Sequence, residues 1–506
     1  MTNLLNAIKQ PGDVAFQLQL NNQSILNCQK VVRVVPNKRL VCSGVWCEKS
    51  VYAKLFIDAH AARYFARDLS GVNDLVAAKI TTPALLFQGQ TQQGVYVLVF
   101  EAIENSSNAE QVWQQSAAKA RFKLAQSLVA EIAKHHNAGL LQTDLYLKNF
   151  LVEDDKIYTL DGDGIRKFTR LSKRQVQRNL ATLFSKMDVL EDDWIPELYE
   201  GYCAQTGIAH SIFDEAEIWV LTQKIRRKTT SNYADKKVFR QCTGVNKYTL
   251  QPQGLSPQNI PAKAGYSCVK GLWILASSDV ENIDFSGNLD ALFTPQNLLK
   301  DGNTCTVAMA EMGGKKVVIK RYNIKNFWHG LNRAFRQTRA AISWANAHRL
   351  KILDIATAKP IALIEQKIFG LFKSKAYFLT EYIDAPDVAE FFAKTRNKVQ
   401  RADAVHNVVT QFYRLYLLQI SHGDMKATNI KMQGTQPVFI DLDAMRQHTF
   451  SWSAERAHVR DLRRFMQNWQ NDNALYNAFV KALKVMYEEH APLYKADIVT
   501  NKELIK

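Results

Sequence analysis

No apolar run in this chain of 506 residues approaches the ~20 residues that a membrane-spanning helix needs, so no spanning segment is expected. The first residues, MTNLLNAIKQPGD, lack the basic head and apolar core of a secretory signal. There are seven cysteines, an odd number with no C-x-x-C pair, which fits a reducing cytoplasm. Cys42 and Cys47 are expected as buried strand residues, not as ligands. Helix-turn-helix, zinc-finger and RNA-binding signatures are missing. The net charge of +17 therefore points to nucleotide or anionic lipid, with no nucleic acid expected. Low-complexity segments are absent. Between Met312 and Leu353 there is no Asp or Glu at all, against ten Lys or Arg.

What is present is one pattern written twice. QTDLYLKNF (Gln142–Phe150) is followed by TLDGDGIR (Thr159–Arg166), and HGDMKATNI (His422–Ile430) by FIDLDAMR (Phe439–Arg446). Asp144 precedes Asn149 by five residues, Asn149 precedes Asp161 by twelve, and Arg166 lies five further on; Asp424, Asn429, Asp441 and Arg446 repeat those steps at a constant offset of 280. An Asp, an Asn and an Asp so spaced are what the catalytic loop and metal-binding strand of a kinase-type phosphotransferase supply. Such transfer is mostly positioning and charge neutralisation. One carboxylate must take the proton of the acceptor hydroxyl, here Asp144 or Asp424. An amide oxygen and a second carboxylate must hold Mg²⁺, a hard cation suited to oxygen ligands: Asn149 with Asp161, and Asn429 with Asp441. Asp and Asn also cap turns, but two sets at one offset argue for a duplicated unit.

The pattern extends upstream. SVYAKLF and KVVIKRY read as strands that carry Lys54 and Lys320, in the place of the strand lysine that reaches nucleotide phosphates. A second apolar strand follows in each copy, YVLVFE ending at Glu101 and AYFLTE ending at Glu381, each 43 residues before its catalytic Asp. A hinge between two lobes belongs there. The lysines differ by only 266, so the second copy holds 14 extra residues between lysine and hinge. Before each loop the spacing predicts a core-facing helix, with Ala125, Leu128, Val129 and Ile132 in the first copy and Val405, Val408, Val409, Phe412, Leu415 and Tyr416 in the second. Gly139 can end the first of them.

HGDMKATNI, IDLDAMR, IKRYN (Ile319–Asn323) and DGNTCTV (Asp301–Val307) resemble the lipopolysaccharide kinase family, the Kdo and heptose kinases of the inner core. The second half carries the resemblance most strongly, and the first half more weakly. The resemblance implies an α+β fold of two tandem protein-kinase-like bilobal domains, each with an antiparallel-sheet lobe and a helical lobe, spanning 1–235 and 291–506 with a linker at 236–290. It implies ATP and Mg as cofactors and a sugar hydroxyl of a lipopolysaccharide-core glycolipid as acceptor. Asp424 and Asp144 would be bases, Lys320 and Lys54 the phosphate-binding lysines, and Asn429, Asp441, Asn149 and Asp161 the metal ligands. His422, Gly302, Glu381, Glu101 and Asp68 complete the candidate sites. The expected location is the cytoplasm, with peripheral contact at an anionic inner-membrane face.

The chain departs from that pattern in places. Gln142 and Thr143 stand where the second copy has His422 and Gly423. The expectation is therefore a catalytic second unit and a weaker first. Neither copy has a G-x-G-x-x-G loop; VVPNKRLVCSGVW and KDGNTCTV stand in its place, the latter with Gly302 alone. A helix acid should hold the strand lysine. Asp68 fits that role in the first copy, whereas the acid-free stretch leaves Lys320 without one. Arg333, Arg336 and Arg339, near Trp344, form a basic face suited to an anionic glycolipid or leaflet. A second cluster, Lys224, Arg226, Arg227, Lys228, Lys236, Lys237 and Arg240, reads as ordinary surface charge. A protein kinase, a small-molecule phosphotransferase and a nucleotide-binding scaffold without turnover remain open alternatives.

Overall fold

A computed structural model of the chain describes residues 11–35, 38–242, 267–269, 272–276, 289–302, 305–322, 337–368 and 372–488. It divides into two units, Met1–Arg226 and Arg227–Lys506. Helix and antiparallel sheet occur in both.

In the first unit six strands form one antiparallel sheet: β1 (Phe16–Gln19), β2 (Ile25–Val35), β3 (Arg39–Trp46), β4 (Lys49–Phe56), β5 (Leu85–Gln90) and β6 (Tyr96–Glu101), in the order β1-β2-β3-β4-β6-β5. Strand β4 shows why Lys54 faces where it does. Val51, Ala53 and Leu55 alternate into a core with Leu18, Leu26, Leu40 and Val97, so Lys54 must point to the other face. The β3–β4 hairpin closes on Cys47 and Glu48, at φ of 48° and 64°. A two-residue turn with both φ positive is the type that matches strand twist. It puts Cys47 on the surface, which corrects the expectation of a buried strand residue; Cys42 is buried in β3 as expected. Helix α1 (Ala61–Ala77) buries Asp68, Gly71, Val72 and Leu75, one face at helical spacing.

The remainder of the unit is mainly helical: β7 (Ser107–Asn108), α2 (Ala109–Gln115), α3 (Ala118–Asn137), β8 (Leu140–Gln142), β9 (Phe150–Glu153), β10 (Lys156–Thr159), β11 (Ile165–Lys167), α4 (Lys173–Phe184), α5 (Ile195–Thr206) and the part of α6 (Ile212–Cys242) up to Arg226. Ala125, Leu128, Val129 and Ile132 of α3 are buried in its core as their spacing predicts. Gly139, at φ 71°, turns the chain out of the helix. Arg226, read from the sequence as surface charge, is instead buried and clamps Asp192 through two bonds of 2.8 Å. The side chains of Lys236, Lys237 and Arg240 lie outside the described residues, as does the Gln251–Gly265 joint.

The second unit has a seven-stranded antiparallel sheet of β12 (Ser267–Val269), β13 (Leu272–Ala276), β14 (Leu298–Gly302), β15 (Cys305–Met312), β16 (Lys315–Tyr322), β17 (Pro360–Ile368) and β18 (Phe372–Glu381), in the order β12-β13-β17-β18-β16-β15-β14. Helix α7 (Arg339–Ile352) falls between β16 and β17. Then come α8 (Val388–Lys394), α9 (Lys398–Leu417), β19 (Ile420–Ser421), β20 (Ile430–Gln433), β21 (Gln436–Phe439), β22 (Arg446–Gln447), α10 (Ser451–Met466) and α11 (Asn473–Tyr487). Val405, Val408, Val409, Phe412 and Leu415 line the buried face of α9. Arg333 and Arg336 lie outside the described residues; Trp344 is buried in α7.

Candidate active site

In the first unit Lys54 reaches from β4 to α1 and to the turn after β10. Its Nζ lies 3.0 and 2.9 Å from the two oxygens of Asp68, and 3.1 Å from Asp161. Asp68 of α1 thus holds the strand lysine through both its oxygens. A fourth group joins them. Arg39, the first residue of β3, donates to Asp68 at 3.2 Å and to both oxygens of Asp161 at 3.3 and 2.9 Å. Burial works against ionising Asp161, but Lys54 and Arg39 hold its pKa well below the usual carboxylate range. Burial pushes Asp68 the other way, against the pull of Lys54 and Arg39. Lys38 and Arg67 face Asp163, two residues on.

Helix α1 is held against this turn by two glycines. A Cβ on Gly71 would fall 1.9 Å from the Gly162 carbonyl oxygen, and one on Gly162 would fall 2.2 Å from that of Asp68. Only bare backbone fits. The turn itself places Asp161 at φ 66° and Asp441 at φ 60°, left-handed backbone in both units.

The second unit keeps the lysine contact but changes its surroundings. Lys320 Nζ contacts Asp441 and lies 3.3 Å from Asp443. Burial opposes its charge, yet Tyr322, Asp441 and Asp443 hold its pKa above the ordinary lysine value. Each helix is followed by one residue of positive φ, Lys79 and Asp354. Counting back from these, Ser343 stands in α7 where Asp68 stands in α1. Ser343 is buried and shares a hydrogen bond of 3.1 Å with Tyr322. The acid that serves Lys320 is Asp443, which also pairs with Arg339 at 3.0 Å. The strand register aligns the units as well. Val41 pairs with Lys54 and Arg39 with Phe56, as Val307 pairs with Lys320 and Cys305 with Tyr322. Cys305 therefore occupies the place of Arg39. Asn346 similarly replaces Gly71, and its amide holds the turn by donating to the Leu442 and Met445 carbonyls at 2.9 Å each.

The two loops are built alike and anchored differently. Asn149 Nδ2 donates to the Asp144 carbonyl at 2.8 Å, and Asn429 does the same to Asp424 at 2.8 Å. Each amide oxygen is thereby left for another partner. His422 is fully buried, with Nε2 on the Ile440 carbonyl at 3.0 Å. Burial lowers its pKa, and its ring is tied to the turn after β21 through that bond. Gln142 makes the matching bond in the first unit, Nε2 to the Leu160 carbonyl at 3.2 Å. In the second unit Asp461 of α10 accepts from the His422 and Gly423 amides at 2.7 and 3.0 Å, while burial pushes its pKa up to about 7. In the first unit the Thr143 amide goes to the Gly164 carbonyl at 2.9 Å. Lys426 donates to Asp424 at 2.7 Å, and Arg464 lies 3.7 Å from it.

Glu101 and Glu381 end β6 and β18, one strand over from the lysines, and Gly302 ends β14 at its hairpin with β15. In the first unit a cavity of about 620 Å³ is lined by Val41, Lys54, Phe100, Glu101, Asn149, Leu160 and Asp161. A second, of about 330 Å³, lies beside Asp144 among Arg33, Lys38, Arg67 and Arg166. Arg39 and Asp161 line both. Among the described residues no three His, Cys, Asp or Glu gather into a metal cage. A phosphate-bound magnesium needs only one or two protein carboxylates.

Sequence reading missed Arg39, Asp163, Asp443, Asp461 and Lys426. Asp163 and Asp443 were visible, because both stand two residues past the metal aspartate at the same offset of 280. Lys426 was visible two residues past Asp424, though Tyr146 holds its place in the first copy. Asp461 has no such signal, since Ala181 stands at its offset.

The profile of the lipopolysaccharide kinase (Kdo/WaaP) family matches residues 49–202 and, again, residues 292–487. No curated protein matches the chain.

Proposed function

The chain belongs to the lipopolysaccharide kinase (Kdo/WaaP) family and is a kinase, and on that premise we propose that it moves the γ-phosphoryl group of ATP, with Mg²⁺, to a sugar hydroxyl of a lipopolysaccharide-core glycolipid. Two kinase-like bilobal units, 1–235 and 291–506 joined by 236–290, share the work, the second being the principal catalyst. One observation carries this reading: in both units a strand lysine meets the aspartate after the catalytic loop, Lys54 with Asp161 across 107 residues and Lys320 with Asp441 across 121.

In the second unit the acceptor hydroxyl gives its proton to Asp424 as its oxygen bonds to the γ-phosphorus. The bond from that phosphorus to the bridging oxygen breaks, and ADP departs with the oxygen. Lys426 fixes the Asp424 carboxylate and adds positive charge beside the transferring group. Lys320 holds the donor phosphates, kept in register by Asp443. Asn429 and Asp441 fit a magnesium ion. The Asn429 amide nitrogen is engaged, while among the described residues neither the Asn429 oxygen nor one Asp441 oxygen has a hydrogen-bond partner. When bound, the metal neutralises developing phosphate charge. The first unit does not fit a metal in this form, because both Asp161 oxygens are taken by Arg39 and Lys54; no metal step is drawn for it. Among the described residues no helix is long and apolar enough to cross a membrane. We place the enzyme peripherally at the cytoplasmic face of the inner membrane, drawn there by its net charge of +17.

The test is the phosphate content of core lipopolysaccharide, by mass spectrometry, from cells with wild-type protein, Asp424→Ala or Asp144→Ala. Loss of one core phosphate in Asp424→Ala, with a smaller change in Asp144→Ala, is expected. An unchanged core in both would refute the acceptor, and comparable losses would refute the ranking.

A further inference from the structure

Arg39 is where the two units differ most. Its guanidinium bridges Asp68 and Asp161, lines both cavities of the first unit, and is almost fully buried at 5% exposure. Its Nε is also buried and lacks a hydrogen-bond partner. A buried donor left unpaired is costly, and that cost is relieved when an anion enters. Polyphosphate oxygens are acceptors that the planar arginine fork suits. The corresponding residue of the second unit is the neutral Cys305, so nothing on β15 competes for Asp441. Among the described residues Asp441 pairs with one cation and its side chain is 28% exposed, whereas Asp161 pairs with two and is 11% exposed. The positive charge that the second unit must take from solution is carried by the first unit on β3.

We propose that the first unit binds a nucleoside triphosphate without a divalent cation, Arg39 supplying the charge that a metal supplies in the second unit. This rests on reading the larger cavity as a nucleotide site, so the experiment separates the two. Full-length protein with Lys320→Ala, which disables the second unit, is titrated with fluorescent N-methylanthraniloyl-ATP in magnesium and in EDTA. The two affinities should agree within ~3-fold. Full-length Lys54→Ala, which reports the second unit, should weaken in EDTA by ~10-fold or more. Adding Arg39→Cys to Lys320→Ala installs the second unit's own residue. Binding in EDTA should then fall ~10-fold or more and return in part with magnesium, while Arg39→Lys should retain it. Binding by Lys320→Ala only in magnesium overturns the proposal and leaves the nucleotide site standing. Binding under neither condition removes the nucleotide site and the proposal together. Equal metal dependence in the two single variants, or metal-free binding that survives Arg39→Cys, also overturns it. The comparison of Lys320→Ala with Lys54→Ala decides the matter even if Arg39→Cys fails to fold.

Discussion

Asp68→Asn should destabilise the first unit by about 3 kcal/mol, and adding Arg39→Cys should cost almost nothing more. Asp68 is fully buried and accepts two bonds from Lys54 and one from Arg39. The amide would leave two cations against Asp161 alone. Removing one partner of a buried pair costs roughly 3–5 kcal/mol. The lower end applies because Asp161 still faces both cations, at 3.1 and 2.9 Å. Arg39→Cys alone leaves both carboxylates paired with Lys54 and should cost less, about 2 kcal/mol, because no buried charge loses its last partner. The double variant restores one pair, Lys54 with Asp161, and its cost should undershoot the sum by about 2 kcal/mol. Native-state hydrogen exchange read on peptides from β3, β4 and α1 isolates this unit from the other. A loss of ~3 kcal/mol appears as roughly 150-fold faster exchange in the cooperative limit. Costs that add within ~0.5 kcal/mol would refute the idea that the four charges act together, as would an Asp68→Asn penalty below ~1 kcal/mol.

Acid should weaken both units through buried histidines. His136, bonded to Tyr202 and Asn179, has its pKa lowered by burial to about 4, and His458, bonded to Tyr487, to about 3. Both are depressed below the ordinary ~6.5, so the stability is present above that pH and is lost as pH falls toward 4, by ~3 kcal/mol for His136 at 1.36 kcal/mol per unit. Urea midpoints at several pH values check this, and His136→Gln should flatten the first unit's profile. Gly71→Ala should cost ~2 kcal/mol or more by driving α1 off the Asp161 turn, while Gly201→Ala, with nothing within 4 Å of the new Cβ, should be neutral or mildly stabilising in thermal melts. Asp461→Ala strands two buried amides and should cost ~2 kcal/mol together with phosphotransfer by the second unit; full activity would remove Asp461 from the loop's support.

Groups whose order along the chain is their order in the site were legible: the two loops, the strand lysines, the core stripes of α3 and α9, and Asp68, which follows its lysine within one strand-to-helix connection. Arg39 was hidden because its role depends on register. It reads as one more basic residue near a turn until β3 pairs with β4 and brings it two places along from the partner of Lys54. The usual place for an acid that holds Lys320 is the helix, but Ser343 stands there, bonded to Tyr322, and Asp443 meets the lysine instead. Cys47 was misplaced because strand propensity says nothing about where a hairpin turns.

Asp161 and Asp441 bear on any attempt to improve this protein by selection. Left-handed backbone costs a non-glycine residue on the order of 1 kcal/mol, and both carboxylates stand there. Glycine at either position would relieve that strain but strip Lys54 and Arg39, or Lys320, of a carboxylate partner, a loss of roughly 3 kcal/mol that outweighs the gain. The charge pairing thus fixes a strained residue in place even where no phosphate is transferred. A screen for heat resistance and a screen for phosphate transfer would both keep these two aspartates and seek their gains elsewhere in the chain.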